Sequence, residues 1–452
     1  MKAIIIGAGK VGFSMAEMLS EENHDVVVIE QSSERQQILE DTLDIQVING
    51  SASSFSVLEA AGVKDADLLL AVTEFDELNM LACMLAKHYG TKVTVARVRN
   101  TEYLELKNIS LNQLMGIDLI INPERVTAFH IAQIVKNPEA LNVDYYAEGK
   151  VQLVELRIRP DSPLVGKTLK DVDSSLPYNI VSILRKHKMI VPRGQDTFYP
   201  GDHINLMAQS ADIAEVEKLL GFYRHKINQV TILGGGRTGY HLAQILEEQK
   251  LLLNIKIIEK DFRRAERISE KLKNTLVIHG DGSDYQLLDE ENIGQSDIFV
   301  AVTDDDKINM LCSLIAKNLG VKTTICQLKR FEVIPLVEQI DIDIVLSPRI
   351  LTAGAILKYI RRGDIVSVTV LGEEKAEMLE LFAQPGSVAV NKKIQDIKFP
   401  RGSVVGAVVR GEQVIVPDGN FKIDAFDRVI VFTLPKDLPR VEKLFLKGAW
   451  LF

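Results

Sequence analysis

Three cysteines in 452 residues, Cys83, Cys312 and Cys326, are too few and odd in number for a disulfide framework, and their spacing fits no metal-ligand pattern. They read as small apolar core residues of a protein kept in a reduced, cytosolic setting. Long apolar runs are lacking too: no stretch nears the roughly 18 uncharged apolar residues of a membrane span, so any membrane role is expected to be peripheral. The opening MKAIIIGAGK is too short an apolar run for a signal peptide and reads straight into a strand, so no cleavage is expected. A surplus of positive charge is also missing. The formal charge is −9, and without a basic stripe a general nucleic-acid binder is excluded. The eight histidines form no HxH, HExxH or Cys/His cluster, so no metal site is expected. GxSxG and a complete GxxxxGK[ST] loop are absent. What is present is the 46% apolar and 25% charged balance of a globular protein, at a length that suggests three or four domains.

The chain repeats itself. AVTEFDELNM at 71–80 returns as AVTDDDKINM at 301–310, with six of ten positions identical. GAGKVG at 7–12 answers GGGRTG at 234–239, VVVIE ending at Glu30 answers IKIIE ending at Glu259, and NGSAS at 49–53 answers HGDGS at 279–283. INPERV at 121–126 answers LSPRIL at 346–351, and IVPRGQDTFYPGD at 190–202 answers IVPDGNFKIDAFD at 415–427, now at an offset of 225. A two-part unit has been duplicated.

In the first part of each unit, short Val/Ile/Leu runs alternate with helical patterns, the signature of a parallel sheet covered on both faces. The expected fold class is α/β: two doubly wound Rossmann-like domains, each followed by a small α+β module with alternating strands such as VQLVELRI and RVIVF. The expected domains are 1–137, 141–225, 227–362 and 365–448, with linkers near 136–142 and 361–364.

Glycines at GxGxxG spacing occur by chance in turns, so context decides. Gly7, Gly9 and Gly12 follow a strand and open a helix, and the next strand ends in Glu30; Gly234, Gly236, Gly239 and Glu259 repeat the arrangement. This is the dinucleotide fingerprint, in which glycines admit phosphate to a helix N-terminus and the acid accepts from ribose hydroxyls. A carboxylate there disfavours a 2′-phosphate, hence NAD over NADP. Arg263 and Arg264, close behind Glu259, read as solvated helix-surface charges.

The fourth strand of each repeat ends at Thr73 and Thr303, at the mouth of the same cleft. The following helix is expected to bury Leu78, Leu81, Ala82 and Leu85, or Ile308, Leu311, Cys312 and Ile315, and to stop at Gly90 or Gly320. Asp76 and Asp306 read as N-caps, and Asn79 and Asn309 as structural. One strand later Arg97 could clamp a pyrophosphate, whereas its counterpart is Gln327; likewise Ser51 answers Asp281, which would hold the adenosine end differently. The two sites are expected to differ. No His, Tyr-Lys or Lys constellation for proton transfer accompanies them, so binding without turnover is expected. The alternatives are an NAD-dependent oxidoreductase with two fused Rossmann domains and a purely structural scaffold.

On these residues, with SPLVGKTL at 162–169 and GSVAVNKKI at 386–394, the whole chain resembles the TrkA family, the cytosolic regulatory subunits of bacterial Trk potassium-uptake systems with tandem RCK and TrkA-C domains. The resemblance implies a non-enzymatic homo-oligomer, a dimer of dimers, peripheral on the inner face of the cell membrane. It also implies docking on an integral-membrane potassium transporter subunit and binding of NAD(H) and ATP or ADP. By the same resemblance the nucleotide site comprises Gly7, Ala8, Gly9, Lys10, Val11, Glu30, Thr73, Glu74 and Arg97. The second comprises Gly234, Gly235, Gly236, Arg237, Thr238, Glu259, Thr303 and Asp304, with Asp281 added from the repeat comparison. The helices after Pro123 and Pro348 could pair lobes across a dimer or cover their own cores.

Overall fold

The computed structural model describes residues 1–103, 114–172, 175–186, 188–223, 225–249, 253–330, 337, 340–360, 365–371 and 376–446. They fall into two compact units, Met1–Ile131 with Asn228–Ile360, and Ala132–Ile227 with Arg361–Phe452. Like parts of the two repeats have thus segregated together.

In the first unit each repeat builds a six-stranded sheet. The first repeat runs β1 (Lys2–Ile6), α1 (Lys10–Glu21), β2 (Asp25–Glu30), α2 (Ser33–Thr42), β3 (Gln46–Asn49), α3 (Phe55–Ala60), β4 (Leu68–Ala71), α4 (Asp76–Tyr89), β5 (Val93–Arg97), β6 (Leu119–Ile121) and α5 (Pro123–Lys136). The strand order is 3-2-1-4-5-6, all parallel. Strand order reverses between β1 and β4, which opens a crevice beyond their carboxyl ends. β1 and β4 are buried on both faces, which is why they read as unbroken apolar runs.

The second repeat matches it element for element: β12 (Gln229–Leu233), α7 (Arg237–Glu248), β13 (Asn254–Glu259), α8 (Phe262–Lys271), β14 (Thr275–His279), α9 (Tyr285–Glu290), β15 (Ile298–Ala301), α10 (Asp306–Asn318), β16 (Thr323–Gln327), β17 (Ile344–Leu346) and α11 (Pro348–Ile360). The order 14-13-12-15-16-17 is again all parallel.

The helix α4 buries a different face from the one its leucines suggest. Asn79, Ala82, Cys83 and Ala86 are buried, Leu78 and Leu85 are half-buried, and Leu81 is exposed, as is Leu311 in α10. Small residues let the helix lie close on the sheet, and the larger side chains splay to its flanks. The three cysteines are buried and free, and burial pushes their thiols up, to about 12 for Cys312 and Cys326.

Asn79 is fully buried because it closes the sheet's carboxyl edge. Its Oδ1 accepts from the Thr73 amide at 2.9 Å, and its Nδ2 donates to the carbonyls of Thr73 at 3.1 Å and Arg97 at 2.9 Å. Asn309 makes the same three bonds to Thr303 and Gln327. Asp76 and Asp306 are not the expected N-caps. Asp76 accepts from the amides of Arg99 and Asn100, and Asp306 from those of Lys329 and Arg330, so each ties down the loop after the next strand. Phe75 holds the cap position of α4, and Asp305 caps α10.

The helix α11 packs on α1 of the other repeat within the chain, so the pairing of lobes foreseen across a dimer is, for this helix, intramolecular. Tyr359 of α11 also donates to the Asp118 carbonyl of the first repeat at 2.8 Å.

The second unit holds two five-stranded antiparallel sheets. One has β7 (Ala140–Tyr146), β8 (Val151–Arg157), β9 (Tyr178–Arg185), β10 (Lys188–Ile190) and β11 (His203–Gln209) in order 10-9-11-8-7, with α6 (Ile213–Leu219) alongside. The other has β18 (Ile365–Leu371), β19 (Ala376–Phe382), β20 (Ser403–Arg410), β21 (Gln413–Ile415) and β22 (Arg428–Thr433) in the equivalent order 21-20-22-19-18, with α12 (Leu438–Phe445). Tyr146, Val151, Leu153 and Met207 of the first sheet share one core with Met378, Ala407, Ile430 and Phe432 of the second. The alternate residues Val154 and Leu156 face a core of their own module. The first expected linker is short, since β7 already begins at Ala140; the second, 361–364, lies outside the described residues.

Replacing Asn79 by Ala removes its bonds to the Thr73 amide and to the carbonyls of Thr73 and Arg97, of which the Thr73 carbonyl keeps the Arg97 guanidinium as a donor; a buried backbone group left unpaired costs about 1–3 kcal/mol. Asn79→Ala and Asn309→Ala are each expected to destabilise the first unit by about 2–4 kcal/mol in denaturant unfolding. A loss below about 0.5 kcal/mol in either would contradict the assignment.

Candidate functional site

The turn from β1 to α1 is shaped by contacts that only glycine permits. Gly7 has φ +93°, and a Cβ on Gly12 would lie 1.9 Å from the Gly7 carbonyl oxygen; the second repeat has Gly234 at +102° and 2.0 Å between a Gly239 Cβ and the Gly234 oxygen. The helix therefore starts hard against the strand end, with its first amides facing the crevice. Gly9 and Gly236 differ from these. Their φ, −68° and −66°, suits any residue, and a Cβ at either would meet nothing within 4 Å. Each borders open space above a helix N-terminus, which is the cradle a phosphate needs.

Glu30 and Glu259, at the ends of β2 and β13, are buried and engaged with backbone. Glu30 Oε2 accepts from the Ala8 amide at 2.6 Å, and Oε1 from the amides of Gln31 and Ser32 at 2.8 and 2.9 Å. Glu259 Oε2 accepts from Gly235 at 2.8 Å and Oε1 from Asp261 at 2.8 Å. Each acid thus braces the glycine loop, and a ribose hydroxyl would share its remaining lone pairs. Thr73 and Thr303 border the crevice with hydroxyls already donating to Asn79 and Asn309, at 2.7 and 2.6 Å.

Both crevices open into one cavity of about 1770 Å³ within the first unit. Gly7, Gly9, Lys10, Val11, Glu30, Thr73, Glu74 and Arg97 line it from the first repeat; Gly234, Gly236, Arg237, Thr238, Glu259, Asp281, Thr303 and Asp304 line it from the second. Ala8 and Gly235 lie behind this surface and contribute their amides to the two glutamates.

The walls carry several charged residues that reading the sequence missed. Arg35 lies 3.9 Å from both Glu30 and Glu74, and Arg264 lies 3.3 Å from Glu259, so Arg264 is the exposed helix charge expected of it and also borders the cavity. A signal was available: each arginine stands five residues after the strand-ending glutamate, in both repeats. Arg99 donates to Glu124 at 2.7 Å, whereas its counterpart Lys329 pairs with Asp304 at 3.0 Å. That lysine holds the Asp304 carboxyl below the usual carboxylate range. Lys260, 2.7 Å away, and the amide and hydroxyl of Ser283 lower Asp281 to about 2.

The position of Arg97 and Gln327 marks the sharpest divergence. Arg97 is half-buried and donates to the Thr73 carbonyl at 3.1 Å; desolvation, then the neighbouring Arg99, pull its pKa down from the ordinary arginine value. Its Nε has no hydrogen-bond partner among the described residues, and neither has Gln327 Oε1. Buried polar atoms left open at a cavity wall are where a polar ligand gains most. With the open cradles, they make the residues fit a nucleotide in each repeat.

The glycine geometry separates two substitutions that sequence treats alike. Gly9→Ala is expected to leave thermal stability within about 0.5 kcal/mol, while Gly12→Ala, normally favourable inside a helix, costs about 1–3 kcal/mol through collision with the Gly7 carbonyl. Equal melting of the two variants would contradict this geometry.

Family models for the TrkA-N domain match residues 3–123 and 230–348, and those for the TrkA-C domain match 153–221 and 378–446. A Trk system potassium uptake protein TrkA homolog 2 of Methanosarcina mazei is 39% identical over 98% of this chain and 100% of its own. The Trk system potassium uptake protein TrkA of Halomonas elongata is 37% identical over the full length of both chains. Among solved structures, the GsuK RCK domain aligns with a TM-score of 0.63 at 17% identity, covering 98% of this chain and 94% of that one. The GsuK channel bound to NAD aligns at 0.64 and 17%, covering 98% and 78%. These structures share the fold. The duplicated TrkA-N and TrkA-C matches, with full-length relatives above 30% identity, establish that the chain belongs to the TrkA family.

Proposed function

We propose that this chain is a non-enzymatic, nucleotide-sensing regulatory subunit of a potassium-uptake system. It binds NAD(H) and the adenine nucleotides ATP and ADP, and it gates potassium flux through an associated integral-membrane subunit of Trk type. The observation that carries this reading is the pair of open glycine cradles facing one cavity, each backed by a buried, loop-bracing glutamate. The Trk potassium-uptake relatives and the NAD-bound GsuK channel, which shares this fold, support it.

In this reading the nucleotide phosphates lie over residues 7–11 and 234–238, and Glu30 and Glu259 meet the ribose hydroxyls. Thr73, Glu74 and Arg97 close the first site, and Thr303, Asp304 and Asp281 the second. Arg97 offers a cation and Gln327 a neutral amide, so the two sites favour different nucleotides. The chain divides into domains 1–137, 141–225, 227–362 and 365–448, assembles as a dimer of dimers, and works on the cytoplasmic membrane face. No helix among the described residues is long and apolar enough to cross a membrane.

The mechanism is a population shift. A ligand in a cavity walled by both repeats favours the spacing of the walls that it fits best, and it moves the equilibrium only by its differential affinity for the two spacings. A regulatory coupling of about 1–3 kcal/mol is a 5- to 150-fold change in the transporter's open-to-closed ratio.

Potassium uptake by proteoliposomes carrying a Trk-type membrane subunit, with and without this protein, tests the proposal. ATP, ADP or NADH is expected to change flux about fivefold or more, and the Gly9→Val, Gly236→Val double variant should abolish that response while remaining bound. Flux indifferent to every nucleotide would sink the regulatory reading.

A further inference from the structure

We infer that Arg349, supplied by the second repeat, binds the terminal phosphates of a nucleoside polyphosphate held by the first repeat's glycine loop. The inference rests on the nucleotide reading of that loop and adds a residue from the opposite wall.

Arg349 is the second residue of α11, which packs on α1. Its Nε donates to the hydroxyl of Ser14, and its guanidinium carbon stands 5.8 Å from the centre of the Phe13 ring. Ser14 and Phe13 are one turn beyond Lys10 and Gly9 on α1, so a residue of one repeat is anchored beside the phosphate cradle of the other. Arg349 lines the same cavity as Gly9, Lys10 and Val11.

The repeat comparison shows that this is not a general device of the fold. Under the 225-residue offset, Arg349 answers Glu124. Glu124 turns back to Arg99 of its own repeat, at 2.7 Å, whereas Lys329, which answers Arg99, pairs with Asp304. Glutamate in one copy and arginine in the other reverses the sign of charge at equivalent corners of the cavity. Arg349 thus joins Lys10 and Arg97 in the charge surrounding the first loop.

The direction of the ligand follows from its ends. Ribose at Glu30 and the first phosphate over Gly7–Gly9 send any further phosphates away from β2, toward the body of α1 and the second repeat. A guanidinium presents paired N–H donors that match phosphate oxygens two at a time, and here Ser14 holds its Nε beside the Phe13 ring. A monophosphate, held by the loop alone, would not reach it. Arg349 therefore sets the preference of the first site for polyphosphates over monophosphates.

Calorimetric titration of the full-length Gly236→Val protein, in which only the first cradle is open, with ATP and with AMP tests this. Arg349→Gln is expected to weaken ATP about tenfold or more and AMP less than about threefold, with Arg349→Lys intermediate for ATP. Unchanged ATP affinity in Arg349→Gln overturns the proposal, and so does an equal loss for both nucleotides. Should Arg349→Gln not fold, a loss of about threefold or more confined to ATP in Arg349→Lys supports the proposal, and no loss overturns it. If neither nucleotide binds with Arg349 intact, the nucleotide reading of the first loop fails as well, an outcome distinct from failure of the arginine alone.

Discussion

In each repeat a buried carboxylate at the end of the second strand accepts the amide of the middle residue of the glycine loop. Glu30 takes Ala8 and Glu259 takes Gly235. That bond fixes the loop against the sheet, and the loop in turn sets where the following helix starts, because Gly12 and Gly239 leave no room for a Cβ against the loop's first carbonyl. A buried carboxylate is tolerable there only because backbone donors satisfy both its oxygens. The open cradle at Gly9 and Gly236 is what remains when strand, acid and helix are locked in this way. Loop geometry, helix position and the shape of the cavity all depend on the same few contacts.

Duplication within one chain changes what such a scaffold can do. Two identical subunits would give two identical walls, whereas here the walls can diverge while remaining covalently paired. The structural parts have been kept: Asn79 and Asn309 close the strand ends with the same three bonds, and Lys87 with Asp118 matches Lys317 with Asp343. The cavity-facing parts have changed, with Arg97 against Gln327, Glu124 against Arg349 and Ser51 against Asp281. The frame is thus kept while the lining diverges, as the proposed binding of two different nucleotides requires.

Much of this was legible in the sequence because it is written at short range. Strand runs, glycine spacing and the strand-ending glutamates lie within thirty residues of one another, and the internal repeat confirmed each by its echo. Interactions between distant segments were not legible. Arg349 becomes part of the first repeat's surroundings only because α11 packs on α1. The face of α4 was misjudged for a related reason: hydropathy ranks Leu81 above Asn79, but closeness to the sheet selects small residues and one amide that pairs strand ends. The joint core of the two small modules, to which Met207 and Phe432 both belong, leaves no local trace at all.

The central claim is that each chain holds two nucleotide cradles in one cavity, and native mass spectrometry of the full-length protein with ATP counts them directly. The account predicts up to two nucleotides per chain, and one per chain after either Gly9→Val or Gly236→Val. No bound nucleotide, or two per chain retained in both variants, would contradict it.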